Sequence, residues 1–130
     1  MTLERFASSS PWAPSIGFSA AVAADGWIIT AGVTAVRHDG EVVGGDDAYE
    51  QTREALRKLL AILAEAGAGP EDVVQTRMYV VRADDADAVG RAHGEVFGDH
   101  RPAATLVLVA GLLDPRMLVE LEMRAFVGAS

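Results

Sequence analysis

Leu118-Val-Glu-Leu-Glu-Met-Arg-Ala-Phe-Val127 alternates apolar and polar residues at a period of two, the pattern of a strand with one face in a core. Val119, Leu121, Met123 and Ala125 point one way, and Glu120, Glu122, Arg124 and Phe126 point the other. Such a strand needs helices on its apolar side, and two upstream stretches supply them. Asp47, with Glu50 three residues on, has capping-box spacing, and Tyr49, Thr52, Leu56, Leu59, Leu60 and Leu63 then share one helical face until Gly67. Val89, His93, Val96 and Phe97 place a second helix over Asp84–Phe97, ended by Gly98.

The remaining segments read as strands. Val73–Val81 alternates and is rich in β-branched and aromatic residues, and Ala104–Ala110 is continuously apolar. Phe18–Val22 and Trp27–Thr34 flank a tight turn at Asp25-Gly26. A second turn at Asp39-Gly40, between Thr34–His38 and Glu41–Val43, predicts a third short strand before Gly44 and Gly45 break the pattern. The order β-β-β-α-β-α-β-β fits an α+β fold in one domain, residues 1–130, with two helices covering one face of a mixed six-stranded sheet. No third helix remains for the other face. A half-apolar sheet left open exceeds what monomers tolerate, so self-association is expected, with the number of subunits open.

Composition removes whole classes of function. The chain has no cysteine, which excludes disulfides, thiolate zinc sites and cysteine nucleophiles, and cytosol is the expected compartment. With 11 basic against 19 acidic residues the formal charge is −8, so nucleic acid and anionic membranes are poor partners. The longest apolar run, Ala103–Leu113, is too short to span a bilayer, and the start MTLERFASSSPW lacks the apolar stretch of a signal peptide.

Two carboxylates on one strand face at a subunit boundary are candidates for proton transfer, since desolvation raises an acid toward the useful range. Glu120 and Glu122 are equivalent on pattern alone. The competing reading has both facing solvent or paired with Arg124 and Arg116 at the oligomer interface. His93 is either a packed, hydrogen-bonded core histidine or a proton-transfer group. Arg77 is either an anion holder or the salt-bridge partner of a carboxylate such as Glu122. Trp12, after Ser8-Ser9-Ser10-Pro11, either covers a cleft mouth or plugs the core. No pair of histidines has metal-ligand spacing with a carboxylate, so no metal is expected.

Trp27-Ile-Ile-Thr-Ala-Gly32, Arg101-Pro-Ala-Ala-Thr105 and Val119-Glu-Leu-Glu122 together resemble the YjgF/RidA family, and the resemblance runs nearly end to end. It implies a chorismate-mutase-like α+β fold and a homotrimer with small-molecule sites in the clefts between subunits. It further implies hydrolysis of 2-imino or 2-enamino acids to 2-keto acids and ammonia without a cofactor. The first glutamate of the Val-Glu-Leu-Glu motif then activates water, which is Glu120 here. Members with that activity carry Pro-Ala-Arg-(Ser/Thr), whose arginine grips the substrate carboxylate. This chain has Ala104 before Thr105, and a methyl group cannot replace a bidentate arginine. The family's tyrosine in the first strand corresponds to Phe18, an asparagine on the second helix to Gly90 and a tyrosine one turn on to His93. The expected function is accordingly an enamine or imine hydrolase whose substrate is not a plain 2-imino acid. The site would comprise Phe18, Gly32, Ala104, Thr105, His93, Trp12 and Arg77 around Glu120. A non-catalytic binding or sensing trimer is the alternative, and an endoribonuclease is disfavoured by the charge.

Overall fold

The strand quoted above sits near the middle of the sheet in the computed structural model, which describes residues 2–128. In chain order the elements are β1 (Glu4–Phe6), a short helix α1 (Ala13–Ile16), β2 (Ala21–Ala24), β3 (Trp27–Thr30), α2 (Ala48–Glu65), β4 (Val73–Val80), α3 (Ala86–Phe97), β5 (Ala103–Leu108) and β6 (Val119–Phe126). The six strands lie in the order β1-β2-β3-β6-β4-β5, and only β4 and β5 run parallel. The parallel pair needs a crossover, and α3 is that crossover.

The alternation of β6 is realised as read. Val119, Leu121, Met123 and Ala125 are buried with Leu56, Leu59 and Leu63 of α2 and Val89 and Phe97 of α3 in one core. β4 joins it through Val73, Thr76, Met78 and Val80, after a bulge between Val73 and Gln75 turns Val74 out. α2 starts where expected, since the Asp47 carboxylate accepts from the amides of Tyr49 at 3.0 Å and Glu50 at 3.2 Å. Glu50 does not return to close the box; it lies 3.5 Å from Arg53. At the other predicted turn, Asp25 and Gly26 both have positive φ, 55° and 86°, as a two-residue hairpin turn matching strand twist requires.

Two expectations are corrected. The segment Thr34–Val43 is not a strand and holds only one bridge, between Val36 and Val42. The carbonyls of Thr34 and Val36 are taken by the Lys58 ammonium, at 2.9 and 2.6 Å, so they are not offered to a neighbouring strand. The sixth strand is instead β1, which pairs Glu4, Arg5 and Phe6 with Ala23, Val22 and Ala21. Its exposed Glu4 and Arg5 give it the polar character of an edge strand and no alternation to read. Phe18, expected at the start of the first hairpin strand, lies in the loop before β2.

One fully buried polar side chain ties the helix layer to the start of β6. Gln51 Nε2 donates to the carbonyls of Gly45 at 2.7 Å and Arg116 at 2.9 Å, and Gln51 Oε1 accepts from the Leu118 amide at 2.9 Å. The opposite sheet face has no layer over it among the described residues. Trp27, Ile29 and Phe126 remain 44%, 47% and 40% exposed there, with the Trp27 and Phe126 rings 4.8 Å apart.

Replacing Gln51 by leucine strands one amide and two carbonyls in the interior, and is expected to cost about 3 kcal/mol or more. A urea titration should show the midpoint falling with unchanged slope, whereas Glu50→Ala should move it by less than about 0.5 kcal/mol.

Candidate functional site

β6 presents Glu120 and Glu122 on the open face, and its register with β4 puts Tyr79 beside Glu120 and Arg77 beside Glu122. Those neighbours distinguish two carboxylates that pattern alone could not. Glu122 accepts a short hydrogen bond from the Tyr79 hydroxyl and lies 3.7 Å from the Arg77 guanidinium. Among the described residues Glu120 has neither a hydrogen-bond donor nor an ion-pair partner to its carboxylate. Burial pushes its carboxyl above the ordinary glutamate value, and the negative Glu122 adds to the shift.

Glu120 opens into a cavity of about 580 Å³. The carboxylate lies directly over Gly32, where an added Cβ would stand 2.5 Å from Oε2. A side chain at position 32 would therefore push the carboxylate from this place. Trp12 and Phe18 form apolar wall, positioned by local turn chemistry. Ser8 Oγ accepts from the Ser10 amide at 3.0 Å and Ser10 Oγ from the Trp12 amide at 3.2 Å, which folds the N-terminal arm. Gly17, at φ 88°, then ends α1 and releases Phe18. The structure thus brings Glu120, Gly32, Phe18 and Trp12 to one cavity.

The other expected site residues stand elsewhere in the subunit. Arg77 points to Glu122 outside the cavity and shares its register position with Thr105 on β5. Ala104 is level with Thr76, whose side chain faces the helices. Thr76 Oγ1 is 2.8 Å from His93 Nε2, and the His93 ring stacks obliquely on Phe97 at 4.8 Å. Burial lowers the His93 pKa, which favours the neutral ring. Ala104 and His93 therefore belong to the helix side of the β5 edge, and Glu120 to the opposite side of the sheet.

Lys58 was not among the residues that spacing singled out, although it lines the cavity with Arg57, Leu113 and Met117. It is the only lysine in the chain and interrupts the leucines of α2, which is the one signal the sequence offers. Among the described residues, no three His, Asp or Glu side chains lie close enough to hold a metal ion, and no helix is long and apolar enough to cross a membrane.

Comparison with known proteins agrees with this architecture. The family described as Endoribonuclease L-PSP matches residues 8–127. An uncharacterised protein of Streptomyces coelicolor is 45% identical over 127 residues, covering 98% of this chain and 94% of that one. The 3-aminoacrylate deaminase RutC of Acinetobacter baylyi is 32% identical over 114 residues, 88% of this chain and 90% of its own. Among solved structures, Rv2704 of Mycobacterium tuberculosis, a member of the YjgF/YER057c/UK114 family, is 36% identical. It matches with a TM-score of 0.87 over 97% of this chain and 100% of its own. With its mixed six-stranded sheet, its two covering helices and a family match over nearly its whole length, this chain belongs to the YjgF/RidA family.

Proposed function

We propose that this chain is a cofactor-independent hydrolase of an enamine or imine, working as a homotrimer with Glu120 as its general base. The observation that carries the reading is the unpartnered Glu120 carboxylate, raised by burial and open to a cavity walled by Trp12 and Phe18. The 32% identity to a 3-aminoacrylate deaminase supports the substrate class, since 3-aminoacrylate is itself an enamine acid. The trimer is supported by the bare sheet face, and by the separation of Ala104 and His93 from Glu120 within one subunit. A neighbouring copy would bring its β5 edge to this cavity.

The reaction follows from one base of intermediate strength. An enamine first shifts a proton from nitrogen to carbon, giving the imine. Glu120 accepts a proton from water as the water oxygen bonds to the imine carbon and the C=N electrons move to nitrogen. The carboxylic acid so formed returns that proton to nitrogen. The C–N bond then breaks as the carbinolamine hydroxyl becomes C=O, Glu120 taking the hydroxyl proton and passing it to the departing nitrogen, so that ammonia leaves and the carboxylate is restored. Apolar walls favour this by limiting competing water.

Ala104 restricts the substrate. With no arginine there, a 2-imino acid loses a bidentate partner, worth about 2–5 kcal/mol for a buried charge pair. The same observation favours a second reading, a trimer that binds or senses a small molecule without converting it. A nuclease role fits poorly with a net charge of −8.

Three outcomes test this reading. Glu120→Gln should lower kcat about 10²–10⁴-fold in an ammonia-release assay on a panel of enamines and imines, with circular dichroism and oligomeric state unchanged. Equal turnover by the variant would remove Glu120 as the base, and tight binding with no turnover by the wild type would favour the sensing role. Ala104→Arg should raise turnover of 2-aminoacrylate generated in situ by about tenfold or more over the wild type. Wild-type activity that the arginine does not improve would remove Ala104 as the limit.

The third concerns pH. Because the folded state raises the Glu120 pKa, its contribution to stability is fully present below the ordinary value of 4.5 and is lost as pH rises through the folded-state value. Glu120→Gln should therefore raise Tm at neutral pH, with the gain shrinking toward pH 4, as read by calorimetry at both pH values. The acidic limb of wild-type kcat/KM should lie above the ordinary glutamate value, rising with pH as the base ionises.

A further inference from the structure

We propose that Lys58 is an oxyanion-binding group of this cavity, its ammonium holding a carboxylate or similar oxyanion carried by the ligand on which Glu120 acts. The inference rests on the reading of the cavity as the ligand site and names what that ligand must carry.

Two cations line the cavity, and they are not equivalent. Arg57 is already committed, with Nε 2.8 Å from Glu54 Oε1 and Nη2 2.6 Å from Glu54 Oε2. Lys58 has no carboxylate within ion-pair distance among the described residues. Its ammonium donates to two neutral carbonyls, Thr34 at 2.9 Å and Val36 at 2.6 Å. An ammonium has three donors, so one remains. Two fixed acceptors also hold the head in one place, which lowers the entropy lost when a third partner arrives.

The surroundings ask for an anion. Lys58 is half-buried and desolvation lowers its pKa, opposed by Glu54 and reinforced by Arg57 on the same helix. The remaining charged groups lining the cavity are Glu65 and Glu120, and an ionised Glu120 repels any acidic ligand. A positive group in the same cavity offsets that repulsion, and the ligand anion in turn offsets the desolvation of Lys58. The position that carries the family resemblance's carboxylate-gripping arginine is Ala104, so an acidic ligand needs its counter-charge from another side chain. A volume of about 580 Å³ leaves room for an acid group set apart from the reacting carbon.

Because Lys58 is the only lysine, its exposure to reagents can be read directly. The intact protein is acetylated with a neutral active ester from about pH 6 to pH 10, and the Lys58 peptide is quantified by mass spectrometry. The probes are succinate and benzoate, each against its uncharged amide. The acids should slow Lys58 acetylation saturably, by about fivefold or more, leave the N-terminal amine unaffected, and protect less as pH rises through the Lys58 titration. The amides should not protect. In direct titration the acid Kd should rise about tenfold or more in a folded Lys58→Met variant and less in Lys58→Arg. Absence of protection by either acid, equal protection by the amides, or an unchanged Kd in Lys58→Met would each overturn the proposal. The two readings separate in Glu120→Gln, which should keep acid protection. Protection that persists while Glu120→Gln leaves turnover untouched defeats the catalytic reading alone, and lost turnover without protection by acids defeats this inference alone.

Discussion

The constraint on which the rest depends is the period-two pairing of β6 between β3 and β4. Register with β4 runs from Val119 against Val80 to Ala125 against Val73, and register with β3 sets Ala125 against Ile28. A slip by one residue would turn Glu120 and Glu122 into the helix layer and four apolar side chains out of it. The cost of that exchange, not any local preference of the glutamates, holds their carboxylates on the open face. Gln51 fixes the phase from the other end, because its side chain closes on the Leu118 amide immediately before the strand begins. Fold and site are thus specified by the same hydrogen bonds.

Stability and the proposed function pull apart at one contact. Glu120 sits over a glycine, where any added Cβ would push its carboxylate aside, and it lacks the donors that quiet Glu122. An interior arranged only for stability would pair such a carboxylate. Here its neighbour on β4, Tyr79, gives its hydroxyl to Glu122 instead. Lys58 follows a similar logic from the helix side. It secures the segment after Gly32 through backbone carbonyls and keeps its charge unneutralised among the described residues.

What the sequence disclosed divides along physical lines. β6, β4 and the leucine face of α2 were legible because burial imposes periods of two and 3.6 on many residues at once. β1 was not, since three residues including Glu4 and Arg5 pair through backbone atoms that carry no side-chain signal. The segment Thr34–Val43 misled for the converse reason: it has strand-forming composition, but a distant lysine takes the carbonyls a ladder would use. The same limit governs the site. Glu120 and Glu122 look alike until Tyr79 and Arg77 stand across the strand from them. Within the subunit Arg77 lies beside Glu122, and His93 is bonded to Thr76.

Ala104 gains meaning from where β5 runs. It lies on the strand that closes the sheet, level with Thr76 and outside the cavity that holds Glu120. Changing it therefore leaves the Glu120 carboxylate, the Gly32 approach and the aromatic walls of the same subunit untouched. On the proposed reading, a site divided in this way could alter its grip on a ligand without disturbing the Glu120 carboxylate, because the two positions are built on opposite sides of the sheet. If the proposed hydrolase is right, the absence of a guanidinium at position 104 relaxes the demand for an acid group beside the reacting carbon, while the Lys58 ammonium on α2 offers a place for one further away. Under that proposal, an unpartnered carboxylate kept over Gly32 and a cation on α2 fit a changed ligand better than an abandoned site.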